Sequence, residues 1–431
     1  MVNLVDKYLP TYLNYRLDGL DCGAGSIHPR YDGYSLLNLP ASICRWLGAP
    51  HFGTSPLAPE ILDLWEGPFE QVILVLVDAL GLQLFQDALK RGESGQEGAN
   101  AWTRLMKDAS LAPLTSVVPS TTSAALTTLW TGRSPAAHGV VGYEVFLKEF
   151  GMIANMILHA AATSVGDVGG LRRSGFQPEG FLPVATLGPH LVENGIRAYA
   201  FQHNAIARSG LSTMLLPEVD VYPYRTQVDL WYSLNELLET RQGKRTYAYV
   251  YMGEIDELSH RYGPDNPRVR MELDNISRLF DWFVSKARSR SRHNTLLLVT
   301  GDHGQISTPK MPEYDLRNYP DLTACLSMLP SGESRLAYSF LRQGQESRFR
   351  ALIQEFWGDQ FCILPSIDGL QRGLFGNDGV YTRTAERLGD FSIISQGNAY
   401  WWWAEKENPL LGRHGGMTPQ EMLVPLFGLP L

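Results

Sequence analysis

The chain has 431 residues, of which 44% are hydrophobic and 19% charged, and its net charge is -8 at pH 7. This composition is that of a globular protein with a sizeable core and excludes an intrinsically disordered one. The acidic balance argues against a protein that coats nucleic acid or an anionic membrane surface, whereas a small phosphorylated substrate stays open because bound cations can reverse the field inside one cleft.

Residues 1–10 lack a basic segment followed by an apolar run, so no secretory signal is expected. Residues 1–66 are rich in Gly, Pro and Tyr with weak periodicity, and no role is assigned to them. The β-branched and Leu run at 72–77 reads as a buried parallel strand, 82–90 as a helix and 91–100 as a polar loop. Residues 119–132 read as a tight turn entering a short helix that stops at Gly132. Further strands are expected at 198–202, 246–251 and 295–300, and further helices at 228–240 and 267–286. The last of these has Val269, Leu273, Ile276, Phe280, Phe283 and Val284 on one face, and Lys286, Arg288, Arg290 and Arg292 complementing its C-terminus. Beyond residue 323 the pattern changes. Residues 336–341, 346–356, 361–364 and 391–395 read as strand, helix, strand and strand, and the aromatic run 400–403 as packing for that unit. The expected fold class is α/β: a mostly parallel central sheet flanked by helices, with a small α+β cap. Residues 1–322 with 406–431 would form the core, and 323–405 the cap.

No apolar run reaches the roughly 18–20 residues of a membrane span. The four cysteines, Cys22, Cys44, Cys325 and Cys362, are far apart with no CxxC pair, which leaves no zinc ribbon. A soluble, cytoplasmic protein with reduced thiols is expected, with no oligomeric state implied.

In open α/β sheets, ligand groups gather at the carboxyl ends of strands. Asp78 follows the first strand, and Asp256 and His260 follow the 246–251 strand. Asp302 and His303 lie in a Gly-Asp-His-Gly turn, where the flanking glycines supply backbone freedom, and His414 lies between Arg413 and Gly415. Singly, each has an ordinary explanation. Asp78 could cap a helix, Asp256 and His260 could be an i,i+4 surface pair, and the hydroxyls at 120–123 could be caps. Their joint occurrence points to one metal-binding cleft. A hydroxyl at a helix start beside a metal is readily activated as a nucleophile.

The order of these motifs resembles the alkaline phosphatase superfamily, above all its nucleotide pyrophosphatase/phosphodiesterase branch. In that family the nucleophile lies nine residues before a Thr-Gly pair, and Thr131-Gly132 places it at Thr122. The resemblance implies one metal held by Asp78, Thr122, Asp302 and His303, and a second held by Asp256, His260 and His414. Zinc suits such Asp/His ligation, and manganese is the alternative. Where diesterases of this branch carry an Asn that binds a phosphoryl oxygen, this chain has Tyr143. The implied activity is two-metal hydrolysis of phosphodiesters or nucleotide pyrophosphates through a covalent Thr122 intermediate. Alternatives are a phosphomonoesterase or phosphomutase of the same superfamily, or a non-catalytic binding module on the same fold. A sulfatase is disfavoured because Thr122 is neither Cys nor Ser.

Overall fold

The apolar run after residue 70 forms the strand Gln71–Val77, every residue of which is buried. It lies between two parallel neighbours, Thr295–Thr300 and Thr246–Met252. Continuous β-branched and Leu segments are what a strand covered on both faces requires. The computed structural model of the protein describes residues 2–93, 100–164, 166–289 and 294–431.

The eight-stranded sheet that these strands centre has the order Val2–Asn3, Ser110–Thr115, Leu423–Pro430, Thr295–Thr300, Gln71–Val77, Thr246–Met252, Arg197–His203, Asp220–Tyr224. Its pairings are parallel except on the two sides of Leu423–Pro430, which runs antiparallel to both neighbours. The expected α/β class is therefore observed, with one antiparallel strand making the sheet mixed. Helices Leu82–Glu93, Gln227–Thr240 and Pro267–Arg288 are among those that cover it. The apolar face expected on Pro267–Arg288 is the buried one, and Phe280 packs on Trp102 and Trp231. Of the expected polar loop, 91–93 instead complete the helix Leu82–Glu93. Residues 94–99 lie outside the described residues, as do Arg290 and Arg292.

The second sheet has seven strands and extends beyond residues 323–405. Phe361–Pro365, Phe391–Ser395, Leu336–Leu341 and Leu326–Glu333 are joined by Glu144–Leu147, Met152–Asn155 and Ala160–Ala161. The two parts meet where Gly332 pairs with Glu144. These three added strands are only two to four residues long, too short to display a two-residue hydrophobic period in sequence. The aromatic run packs as expected: Trp401 lies 5.5 Å from Phe361 and 5.8 Å from Trp357, ring to ring.

Residues 2–66, of the segment left without a role above, buttress the core. Val2–Asn3 adds an edge strand beside Ser110–Thr115, and Leu36, Leu39, Ile43 and Trp46 are buried. Gly53 lies so close to Gly132 that a Cβ on it would meet the Gly132 oxygen at 2.6 Å. The N-terminal segment thereby fixes the end of the helix that starts at Thr122.

Cap and core are also joined by a fully buried ion pair. The Arg335 guanidinium donates from Nε and Nη2 to the two carboxylate oxygens of Glu421, at 3.0 and 2.8 Å. Glu421 also accepts from the Gly416 and Thr418 amides, just after His414. Removing one partner of such a pair strands a buried charge. Arg335→Met should therefore lower unfolding stability by about 3–5 kcal/mol in urea titrations; a loss below about 1 kcal/mol would place the pair among exposed ones.

Candidate metal centre

Strand register brings the acidic residues together. Leu76 pairs with Thr300 on one side and with Tyr251 on the other, so these three strands end level. Neighbouring strands lie about 4.8 Å apart. Asp78 follows the first, Asp302 follows the second after one glycine, and the third runs into helix Glu254–Tyr262, which carries Asp256 and His260 on one face. Gly301 and Gly304 have no positive φ, so the freedom expected of them is not what the turn uses. It uses their lack of a side chain: a Cβ would meet the Leu80 oxygen at 2.4 Å and the Gln420 oxygen at 2.1 Å.

Thr122 opens the helix Thr122–Thr131, with Thr121 extended before it and Gly132 left-handed at its end. The Thr122 hydroxyl lies 3.4 Å from Asp78 Oδ2 and 3.2 Å from His303 Nε2. His303 Nε2 is 3.4 Å from both Asp78 Oδ1 and Asp302 Oδ2. Asp256 Oδ1 is 3.4 Å from His260 Nε2 and 3.8 Å from His414 Nε2. The His303 and His414 rings stack at 3.8 Å and join the two groups. All seven residues expected to bind metal thus converge at one place.

Each histidine is oriented by the backbone. Nδ1 of His303 faces the Gly304 oxygen at 3.1 Å, Nδ1 of His260 faces Gly412 at 2.8 Å, and Nδ1 of His414 faces Ser120 at 3.2 Å. A carbonyl oxygen only accepts, so Nδ1 carries the proton in all three rings. In the neutral ring Nε2 then presents a lone pair. Those lone pairs point at carboxylate oxygens, an arrangement of acceptors facing acceptors that a cation between them resolves. Asp78 Oδ1 and Asp302 Oδ2 are buried with no hydrogen-bond partner among the described residues. Burial, then the neighbouring Asp302 and Asp256, pushes the Asp78 carboxyl far above its ordinary range; burial likewise raises Asp302. Burial and the two neighbouring histidines push His414 well below the ordinary imidazole value. This donor set fits divalent cations.

Three residues of the site were not anticipated. The Tyr251 hydroxyl donates to Asp78 Oδ2. Its position on a strand before Asp256 was a usable signal, since alternate strand residues share a face. Gln305 donates its side-chain amide to Asp256 Oδ1, and it directly follows the Gly-Asp-His-Gly turn. Glu333, from the cap strand Leu326–Glu333, accepts from the Tyr143 amide at 2.8 Å and from the Thr121 hydroxyl. Nothing in sequence ties it to the site. Tyr143 itself is 37% exposed, and its hydroxyl has the Asn155 side chain as partner.

Clustered Asp and His at the ends of parallel strands, with a hydroxyl at a helix start among them, form a candidate hydrolase site of the kind expected in the alkaline phosphatase superfamily. The sequence model of the family described as type I phosphodiesterase/nucleotide pyrophosphatase matches residues 72–416, and the chain belongs to that family. Among solved structures it is similar to murine ectonucleotide pyrophosphatase/phosphodiesterase 5, with a TM-score of 0.60 and 16% identity over 83% of this chain and 87% of that one. It is also similar to phosphonoacetate hydrolase from Sinorhizobium meliloti 1021 in complex with phosphonoformate. There the TM-score is 0.57 and the identity 18%, over 83% of this chain and 89% of that one. At these identities the likeness is one of fold.

Glu333 allows a test of the site's electrostatics. Burial is the main cause that pushes its carboxyl up to about 8. A carboxyl held protonated by the folded state destabilises that state as pH rises from the unfolded value, about 4.3, toward the folded one. The gain in melting temperature of Glu333→Gln over wild type should therefore be larger at pH 9 than at pH 5. An equal gain at both would show that Glu333 titrates normally.

Proposed function

We propose that the protein hydrolyses phosphodiesters or pyrophosphate-linked nucleotides with two divalent metal ions, zinc or alternatively manganese, and with Thr122 as nucleophile. The observation that carries this reading is the set of three backbone-oriented histidines whose Nε2 atoms face carboxylates, those of Asp78 and Asp302 buried and that of Asp256 half-buried. Asp78, Thr122, Asp302 and His303 would hold one ion, and Asp256, His260 and His414 the other. When bound, the ions lower the pKa of a hydroxyl or water and offset charge developing on the phosphoryl group.

The chain's own residues do the following. Helix Thr122–Thr131 aims its N-terminal dipole at the phosphoryl group, where partial positive charge favours an anion. The Thr122 oxygen loses its proton to solvent and attacks phosphorus, the bond to the leaving oxygen breaks and that oxygen takes up a proton, and a threonine ester of the phosphoryl group that keeps its second arm results. Water then cleaves that ester and restores the hydroxyl. Tyr251 and the Ala79 and His303 amides hold the Asp78 and Asp302 carboxylates in place. Tyr143 stands at the rim, where its ring borders the approach of the substrate.

Diesters are favoured over monoesters. A monoester dianion presents one more charged oxygen; Arg133, just after the Thr122 helix, lies 3.9 Å from Asp378, and residues 140–147 offer no cation to meet that oxygen. Residues 140–147 hold Glu144 as their one charged residue. The family match supports this class of substrate. We place the protein in the cytoplasm, a proposal in keeping with its four unpaired cysteines.

Thr122→Ala should fold normally and lose about 1,000-fold or more in kcat. On matched aryl substrates, wild-type kcat/KM should be at least about tenfold higher for the diester, a difference of about 1.4 kcal/mol. Near-normal turnover in Thr122→Ala with loss in Thr121→Ala would move the nucleophile by one residue. A tenfold preference for the monoester would instead identify a phosphomonoesterase.

A further inference from the structure

A cavity opens beside Thr122. Leu126 and Trp130, one and two turns further along the same helix, line it together with Leu211 and Leu215 of helix Gly210–Leu215. Tyr249 and Tyr251, alternate residues of Thr246–Met252 and so on one face of that strand, form another wall. Among the described residues no Lys, Arg, Asp or Glu lines it. It offers the centres of water-sized molecules about 50 Å³. At roughly 10–15 Å³ each this is room for about three to five waters, or on the order of 100–150 Å³ of liquid.

The wall holds one unsatisfied group. Tyr249 is 1% exposed, and its hydroxyl has no hydrogen-bond partner among the described residues. Trp130 packs on its ring at 5.3 Å and leaves the oxygen free. Buried hydroxyls are almost always paired, and an exception in a cavity beside a reactive group calls for a ligand.

We infer that this cavity receives one ester arm of the substrate, an uncharged apolar group such as a phenyl ring or a short branched chain. The inference rests on the reading of Thr122 as nucleophile, because the cavity's meaning comes from its contact with that residue. The space suits an arm of about six to eight non-hydrogen atoms. An acceptor on the arm would satisfy Tyr249. A nucleoside arm fits poorly, since it is larger than this space, and the polar side chains of the lining, Gln202, Ser209 and Ser212, already bond to one another. The anionic arm of a pyrophosphate finds no cation there. The substrate class is therefore narrowed to phosphodiesters with one small apolar alcohol.

The test uses the full chain supplied with zinc or manganese and 4-nitrophenyl phosphodiesters that share a leaving group and differ in the second arm: methyl, phenyl or 5′-thymidine. The phenyl ester should exceed each of the others in kcat/KM by about tenfold or more. Leu215→Trp, which fills the cavity, should bring the phenyl-to-methyl ratio below about threefold, with folding checked by its melting curve. Equal rates for phenyl and methyl in the wild type, or a faster thymidine ester, overturn the inference without recourse to any variant. Cleavage of none of the esters would count against Thr122 hydrolysis and not against the cavity. In that case calorimetry on the Thr122→Ala protein decides. Diphenyl phosphate binding about tenfold tighter than dimethyl phosphate upholds the cavity, and equal binding overturns it.

Discussion

The structure is organised around a concentration of like charge that the fold itself creates. Three parallel strands end level, and the residues that follow them include Asp78 at 2% exposure and Asp302 at 0%. Both have an oxygen with no hydrogen-bond partner among the described residues. Carboxylates buried side by side are among the most costly arrangements a fold can hold, and they persist where a cation offsets them. The surrounding polypeptide works to keep that arrangement fixed. Carbonyl oxygens from three distant segments, at Ser120, Gly304 and Gly412, turn three imidazoles so that their free nitrogens face the acids. Gly301 and Gly304 are present because the backbone passes too close to Leu80 and Gln420 for any side chain.

Around this centre the labour is divided. The core supplies the residues proposed to hold cations and the Thr122 hydroxyl, while the cap reaches in with Glu333 and is tied back by Arg335 and Glu421. Because Glu421 also binds the Gly416 and Thr418 amides, the same ion pair that joins cap to core stiffens the loop carrying His414. The cavity beside Thr122 is built separately, from helix and strand faces that carry no charge. The acidic cluster and the cavity can thus vary independently on one scaffold.

Much of this was legible in the sequence, for definite reasons. Buried parallel strands are continuous apolar runs, so Gln71–Val77 and Thr295–Thr300 stand out, and the residues after them are where ligands gather. The amphipathic helix Pro267–Arg288 declared itself by its period. What escaped depends on long-range contact. Glu333 is 211 positions from Thr122 in the chain and reaches its neighbour Thr121 only because a hairpin of the second sheet folds over the first. The strands Glu144–Leu147 to Ala160–Ala161 are too short to show a period, and they join the second sheet through one paired position. The role of residues 1–66 rests on close approaches such as that of Gly53 to Gly132, which leave only an isolated glycine in the sequence.

The central claim is that the acidic cluster is a site for two cations. Equilibrium dialysis of the metal-stripped chain against zinc, with the bound metal counted by mass spectrometry, tests it most directly. The account predicts about two ions per wild-type chain, and about one fewer in each of Asp302→Asn and Asp256→Asn. A wild-type chain that retains no zinc, or a count that neither substitution changes, would contradict it.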